Sequence, residues 1–214
     1  MQNEMAPSST PKTLIVSALP LERKAAERAV HAIDGRPERS FTFATTGIGR
    51  KNLHPRFRAL LRESQPQEVI NAGIAGSLRS DLHPLDIFYP HEICPAEHGN
   101  RPRFSPQPFD MPESWRSGIL CTSDHPIRTQ PEKENLRSRF QADAVDMEAA
   151  GIAECCQQQG IPYRILKVIS DTAEGDVRKE VESRLQDCLA QLTHTLKILL
   201  SGLYQTQEEL ASHG

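Results

Sequence analysis

Short apolar runs alternate with amphipathic segments along the first third of the chain. Residues 13–19 predict a buried strand, and Pro20 begins a helix to about residue 33, because proline in a first turn wastes no hydrogen bond. The same order returns with a strand at residues 41–45, a turn at 46–49 and a helix at 51–63, which Pro55 could bend. A strand followed at once by a helix is therefore repeated.

The middle of the chain is less regular. A strand at residues 68–72 runs into the small residues 73–78, which predict a loop where backbone approaches a ligand closely. A further strand is expected at residues 86–94. Residues 95–115 contain five of the 16 prolines and show no clear period, which predicts a long, weakly ordered loop or lid.

The remaining third returns to the alternating pattern. It predicts a strand at residues 118–122, a helix at 131–140, a brief strand at 144–146 and a helix to about 159. Residues 163–170 form the clearest buried strand and end abruptly at the polar segment 171–176. An amphipathic helix at about 177–203 follows.

This order of elements predicts an α/β fold, a single domain with three α/β/α layers and a central mixed sheet. We expect a disordered N-terminal tail at residues 1–12, the folded domain at 13–204 and a polar C-terminal tail at 205–214. In such sheets ligands gather beyond the carboxyl ends of the strands. That edge would carry Glu22, the 73–78 segment, Asp124, Glu148 and Asp171.

Composition narrows the class of protein. Hydrophobic residues make up 37%, charged residues 25%, and the formal net charge is −3, so nucleic acid is not an expected partner. No run approaches the roughly 18 apolar residues of a membrane span, so no membrane association is expected. The five cysteines form neither a disulfide framework nor a zinc pattern, which favours reduced thiols and a cytoplasmic location.

Three carboxylates are the candidates for chemistry. Asp171 directly follows a buried strand, at the rim of a low-dielectric interior that could tune it into an acid, although it could equally cap a turn. Glu148 and Glu22 each lie near a helix start, where a favourable interaction with the helix dipole would also explain them. Position alone leaves both interpretations open.

The sequence lacks the residue patterns that several other kinds of chemistry require. The glycines of segment 73–76 belong neither to a triphosphate-binding loop nor to a dinucleotide fingerprint. His91, His98 and His125 have no metal-ligand spacing, and no nucleophile elbow occurs, so no metal or cofactor is expected.

Four segments in register resemble the nucleoside phosphorylase and nucleosidase family, in particular its methylthioadenosine/S-adenosylhomocysteine nucleosidase branch. The resemblance runs from about residue 13 to 203, and its most specific parts are the last two segments. The four are Ala18-Leu19-Pro20-Leu21-Glu22, Asn71-Ala72-Gly73-Ile74-Ala75-Gly76-Ser77-Leu78, Val145-Asp146-Met147-Glu148-Ala149 and Val168-Ile169-Ser170-Asp171-Thr172-Ala173.

The resemblance implies a nucleosidase that cleaves the N-glycosidic bond of a purine nucleoside of the adenosine type. Cleavage leaves positive charge on the sugar and negative charge on the base, so it needs an acid at the base and stabilisation of the sugar. By resemblance, Asp171 is that acid, with Ser170 orienting it, and Glu22 activates the attacking water. Glu148 would bind the ribose hydroxyls.

The other residues that the resemblance assigns line the substrate. Met147 would pack against sugar and base, and Ala75, Gly76, Ser77 and Asp124 would complete the binding site. The aromatic residue that stacks on the purine is not obvious, and Phe104, Phe109 and Trp115 are the candidates. The family also implies a homodimer or larger homo-oligomer.

Three alternatives stay open. Phosphate could replace water as the nucleophile, which would need cations such as Arg50, Lys51 or Arg79, although Val69 and Ile70 are apolar where one branch of phosphorylases has an arginine. The domain could bind a nucleoside without cleaving it, or the motifs could belong to an unrelated α/β enzyme. The presence of all three carboxylates favours catalysis.

Overall fold

The structure is a computed structural model that describes residues 12–33, 40–49, 53–96, 102–109, 112, 114–172 and 177–211. Seven strands and five helices follow one another along these residues, and they alternate except at three consecutive strands, the third to the fifth. In chain order they are β1 Lys12–Ser17, α1 Pro20–His31, β2 Ser40–Thr45, α2 Leu53–Ser64, β3 Glu68–Ser77, β4 Ile87–Pro95, β5 Arg116–Thr122, α3 Gln130–Phe140, β6 Ala144–Asp146, α4 Ala149–Gln158, β7 Tyr163–Asp171 and α5 Val177–Ala211. Pro55 lies in the first turn of α2, where it costs no intrahelical hydrogen bond.

The seven strands form one mixed sheet in the order β2-β1-β3-β6-β5-β4-β7, and β7 also pairs with β3. Strands β3, β6, β5, β4 and β7 therefore close a ring of pairings, and β1 and β2 extend it. Most pairs are parallel, whereas β3 with β6 and β4 with β7 are antiparallel. The predicted α/β domain with a central mixed sheet is confirmed.

Helices cover the sheet on two faces because successive side chains of a strand point to opposite sides. In β1, Leu14 and Val16 pack into the core under α2 and α4. Ile15, between them, packs into the other core under α1 and α5. The alternation of one strand thus divides the hydrophobic residues into two layers.

The predicted loop at residues 73–78 is wrong, because β3 continues as a strand to Ser77. This half of β3 is paired with β7 from Gly73 to Gly76, so its small residues lie within the sheet. Glycine is required at position 73 because a side chain from another part of the same chain approaches the backbone closely there. A Cβ there would lie 2.8 Å from Oε1 of Glu22.

Part of the predicted lid at residues 95–115 is also wrong. Phe104 forms a bridge with Ile93 of β4 through two backbone hydrogen bonds of 2.8 and 2.9 Å, and its side chain is buried. The Gln107 amide donates to the carbonyl of Tyr163, and Phe109 is buried in the core under α1 and α5. Residues 102–109 are therefore packed against the sheet, while residues 97–101, 110, 111 and 113 lie outside the described residues.

The ends of the domain differ slightly from expectation. Strand β1 begins at Lys12, and residues 1–11 and 212–214 lie outside the described residues. Helix α5 ends at Ala211 instead of near residue 203, because the following glutamine, glutamate, leucine and alanine residues are good helix formers. None of the described helices is long and apolar enough to cross a membrane. No disulfide joins the five cysteines, all of which are described and buried.

Candidate active site

A pocket lies at the carboxyl ends of β1, β3 and β7, as the topology of parallel strands predicts. It is open to solvent and holds about 680 Å³ of empty space when the space at its mouth is included. Apolar side chains of Leu19, Ile48, Ile127 and Val181 form much of its wall. Its polar lining comprises Glu22, His125, Asp146, Glu148, Ser170 and Asp171.

Asp171 reaches the pocket through an irregularity in β7. The register with β3 pairs Ala75 with Ile169 and then Gly76 with Asp171, so Ser170 is an extra residue. Such a bulge turns the side chains that follow it. The Ser170 hydroxyl lies 2.6 Å from Oδ2 of Asp171 and 3.2 Å from the carbonyl oxygen of Ala75. The bulge therefore delivers a buried carboxyl group with a hydroxyl fixed beside it.

Glu22 is held between the start of α1 and β3. Its Oε2 accepts a 2.8 Å hydrogen bond from the Leu19 amide, and its Oε1 accepts a 3.0 Å bond from the Ile74 amide. The side chain is buried, and burial raises its pKa, while Lys167 and the amide donors oppose that rise. Glu22 thus combines the helix-start position predicted from the sequence with a fixed place in the pocket.

Glu148 is positioned by the loop after β2. Gly47 and Gly49 have φ of 78° and 89°, left-handed values that glycine adopts without strain. The Gly47 amide donates to the Ala18 carbonyl, and the Gly49 amide donates a 2.8 Å hydrogen bond to Oε1 of Glu148. Burial, together with nearby Asp146, raises the pKa of Glu148 to about 7.

The sequence reasoning missed one central residue, Lys167. Its side chain is 3% exposed, and its Nζ lies 2.9 Å from Oδ2 of Asp146, whose side chain is 1% exposed. Asp146 also accepts hydrogen bonds from the Thr122 hydroxyl and the Ala149 amide. The sequence itself shows a lysine among the apolar residues 165–169. Lysine is almost never fully buried unless it is paired, so this position pointed to a charged partner in the interior.

The buried charged residues below the pocket include more carboxyl groups than cations. Burial by itself lowers the pKa of Lys167, but Asp146, Glu148 and Glu22 together raise it above its ordinary value. One ammonium therefore interacts with three carboxyl groups, and Asp171 adds a fourth at the same pocket. The arrangement can donate a proton, accept a proton and bind hydroxyl groups.

Cations are scarce at the pocket surface. Within the described residues, no arginine or lysine lines it. Arg79 instead forms ion pairs with Asp81 at 2.6 Å and with Asp143 at 3.3 Å. Arg50 and Lys51, the other candidates for binding phosphate, lie outside the described residues.

Some predicted site residues lie elsewhere. Asp124 is exposed and lines a neighbouring cavity, which shares His125 and Ile127 with the pocket. The Ser77 hydroxyl is hydrogen-bonded to the backbone of Arg79. Met147, Ala75 and Gly76 do line the pocket, whereas Phe104, Phe109 and Trp115 pack in or against the two cores. No group of residues suited to a metal ion occurs in the described part of the chain.

A family model described as the phosphorylase superfamily matches residues 110–203. A 5'-methylthioadenosine/S-adenosylhomocysteine nucleosidase of Staphylococcus aureus is 24% identical over 190 residues, which cover 78% of this chain and 83% of the relative. The matched family segment contains both Glu148 and Asp171. The predicted family resemblance is confirmed.

Solved structures extend the likeness to the whole fold. The 5'-methylthioadenosine/S-adenosylhomocysteine nucleosidase of Helicobacter pylori, in complex with butyl-thio-DADMe-Immucillin-A, superposes with a TM-score of 0.80 at 19% identity. The match covers 91% of this chain and 100% of that one. Futalosine hydrolase of the same species gives a TM-score of 0.79 at 20% identity, covering 90% of this chain and 98% of that one.

Proposed function

Because residues 110–203 carry the sequence pattern of the phosphorylase superfamily, in a chain with the fold of its nucleosidases, we propose that this protein hydrolyses the N-glycosidic bond of a purine nucleoside. The observation that carries the proposal is the convergence of Glu22, Glu148 and Asp171 on one pocket. These carboxyl groups come from three separate segments of the chain. A binding protein has no need of all three.

Each carboxyl group has a distinct part in the reaction. Asp171 donates a proton to the purine as the bond from C1′ of the ribose to the base nitrogen breaks, and Ser170 orients it. Water forms the new bond to C1′ and gives a proton to Glu22. Glu148 accepts hydrogen bonds from the ribose hydroxyls, which strengthen as positive charge develops on the sugar. The products are the free base and the free sugar.

Water is favoured over phosphate as the nucleophile because of the charge of the pocket. A phosphate dianion would meet four carboxyl groups, and no described arginine or lysine lines the surface to neutralise it. Arg79 is already engaged by Asp81 and Asp143. An uncharged nucleoside and a water molecule suit this surface better.

The test is release of free base from a panel of purine nucleosides by the purified protein, with and without phosphate. The panel includes adenosine, 5′-alkylthioadenosines and 6-oxopurine nucleosides carrying 5′-substituents. We expect release in both buffers from at least one adenosine-type substrate. Strictly phosphate-dependent release would move the assignment to phosphorolysis, and tight binding without release from any member would indicate a binding protein.

We further propose that the protein is a homo-oligomer, because apolar side chains are exposed at the mouth of the pocket, and that it is cytoplasmic, because its cysteines are reduced. Ile48, which lines the mouth, is 58% exposed, and Leu21 on the adjacent helix is 42% exposed. A second copy covering these apolar side chains would remove them from water. Five buried cysteines without a disulfide fit a reducing compartment. Light scattering should show a dimer or larger assembly, and a fully active monomer would contradict the assembly.

A further inference from the structure

Lys167 lies beneath the pocket, in a position where burial of a charge costs free energy. It occupies the middle of β7, and its side chain is 3% exposed. A lysine in the interior of a strand buries a charge that costs several kcal/mol unless it is compensated. Asp146 supplies that compensation at 2.9 Å, but a hydrophobic pair of similar size would fill the same space without this cost.

Lys167 is close to Glu22 through the pairing of two strands. In the register of β3 with β7, Lys167 is the partner of Gly73. Gly73 in turn is the residue against which the carboxyl group of Glu22 packs, since a Cβ at Gly73 would lie 2.8 Å from Oε1. Because glycine has no side chain, the Glu22 carboxyl group can lie close to the β3 backbone that is paired with Lys167.

Lys167 is also linked to Glu148 through Asp146. Oδ2 of Asp146 binds both the Lys167 ammonium and the Ala149 amide, which begins the helix that follows Glu148. Oδ1 of Asp146 accepts from Thr122, whose Oγ1 also accepts from the Ala150 amide. The ion pair is thus part of the support of the helix start.

On this geometry we propose that Lys167 is a positioning residue of the site, which keeps Glu22 ionised as the acceptor of the water proton and, through Asp146, fixes the helix start that carries Glu148. The proposal rests on the proposed function, because it concerns the role of Glu22 in hydrolysis. Within the described residues, the other titratable groups that line the pocket or interact with Glu22 are Glu148 at the start of α4, Asp146 of β6, Lys167 and Asp171 of β7, and His125. Lys167 opposes the rise that burial causes in the pKa of Glu22.

The first test is the pH profile of kcat/KM for variants of Lys167. Lys167→Met should move the acidic limb, where Glu22 becomes ionised, upward by at least about 1 pH unit, and Lys167→Arg should leave it in place. The double variant Asp146→Asn with Lys167→Met removes both members of the ion pair and so does not leave Asp146 as an unpaired buried charge, which tests the limb if Lys167→Met alone fails to fold. A folded double variant with the parental limb would overturn the proposal.

The matched control is Arg164→Met, which breaks another ion pair on the same strand, with Glu68 at 2.5 Å. Arg164 lies at the amino end of β7, away from the pocket. This variant should lower the melting temperature without moving the pH limb. An equal shift in Arg164→Met would show that any loss of an ion pair on β7 has the same effect, and would overturn the assignment to Lys167.

A second readout needs no turnover. Infrared difference spectra against Glu22→Gln identify the protonated carboxyl band of Glu22, and its titration should move upward in Lys167→Met. If the parent protein releases no base, the proposed function fails, while a shifted band still supports the effect of Lys167 on Glu22. An unshifted band overturns the inference whatever the activity.

Discussion

Strand β7 carries one ion pair near its amino end and one in its middle, and the two pairs differ in what surrounds them. Near the amino end, Arg164 binds Glu68 and the Pro108 carbonyl and lies 5.3 Å from the ring centre of Phe109. In the middle of the strand, Lys167 binds Asp146 and also interacts with two further carboxyl groups. Arg164 is 17% exposed and Lys167 is 3% exposed.

The difference separates an ion pair that secures a segment from one that organises a reactive site. Arg164 fastens residues 108 and 109 to the sheet, so each of its contacts is accounted for by packing. At Lys167 the acidic groups outnumber the cation, so this site buries more carboxyl groups than one ammonium can neutralise. Substitutions around the two ion pairs should therefore affect different properties.

The largest effect is expected for Asp171→Asn at the carboxyl end. Loss of the proton donor should lower kcat by at least ~100-fold with little change in melting temperature, because the amide keeps the shape of the side chain. Glu68→Gln makes the same chemical change at the amino end and should lower the melting temperature while kcat stays within about twofold. Steady-state kinetics and thermal unfolding of both variants check the pair, and retained activity in Asp171→Asn would refute the mechanism.

Glu22→Gln should follow, with a loss of about 100-fold in base release. The amide has one oxygen where the carboxylate has two, so it satisfies only one of the Leu19 and Ile74 amides. The assay is run with and without phosphate. Unchanged activity that depends on phosphate would show that Glu22 does not activate water.

Glu148→Gln should change the dependence of stability on pH. The pKa of Glu148 is raised from 4.5 to about 7 in the folded protein, chiefly by burial. Its contribution to stability is therefore complete below pH 4.5 and is lost as pH rises through 7. The variant should lack about 2 kcal/mol of that fall in the free energy of unfolding, which is less than the full shift implies because Glu148 interacts with the neighbouring acidic groups Asp146 and Glu22. Urea unfolding across this range measures it, and parallel curves for parent and variant would contradict the expectation.

The smallest effect is expected for Gly73→Ala. The new Cβ would lie 2.8 Å from Oε1 of Glu22, so the carboxyl group must move, and base release should fall about tenfold. Gly118→Ala provides the control, since its Cβ would lie 2.2 Å from Oδ2 of Asp143, which does not line the pocket. We expect the control to lose stability and keep its kcat. A greater loss of kcat in the control would mean that strain in the sheet, and not Glu22, sets the rate.

Periodicity predicted most of the elements because apolar spacing decides which side of a strand or helix can be buried. It failed at residues 73–77, where glycine and alanine have low strand propensity and the pairing with β7 and β6 makes the segment extended. Likewise, residues 102–109 lack a period, and their order comes from contacts with distant strands. Both errors concern contacts that no local pattern contains.

The site was predicted in part for a similar reason. Glu22, Glu148 and Asp171 follow strand ends, so the topology rule alone brings them to one edge. The bulge at Ser170 that aims Asp171 has no signature in the sequence, and the neighbouring cavity that contains Asp124 depends on where α3 packs. Lys167 could have been found, because a charge inside an apolar strand contradicts the pattern around it.

The closed ring of strands has a consequence for how the chain folds. Strand β3 must pair with β7, whose residues lie about 95 positions later, as between Ser170 and Ala75. Such distant pairing slows folding, because the entropic cost of closing the loop comes before the contacts that stabilise it. The segment 110–203, which is the easiest to recognise, lacks β1 to β4 and would fail to fold if expressed alone. The segment that identifies the family is thus shorter than the segment that is needed to fold.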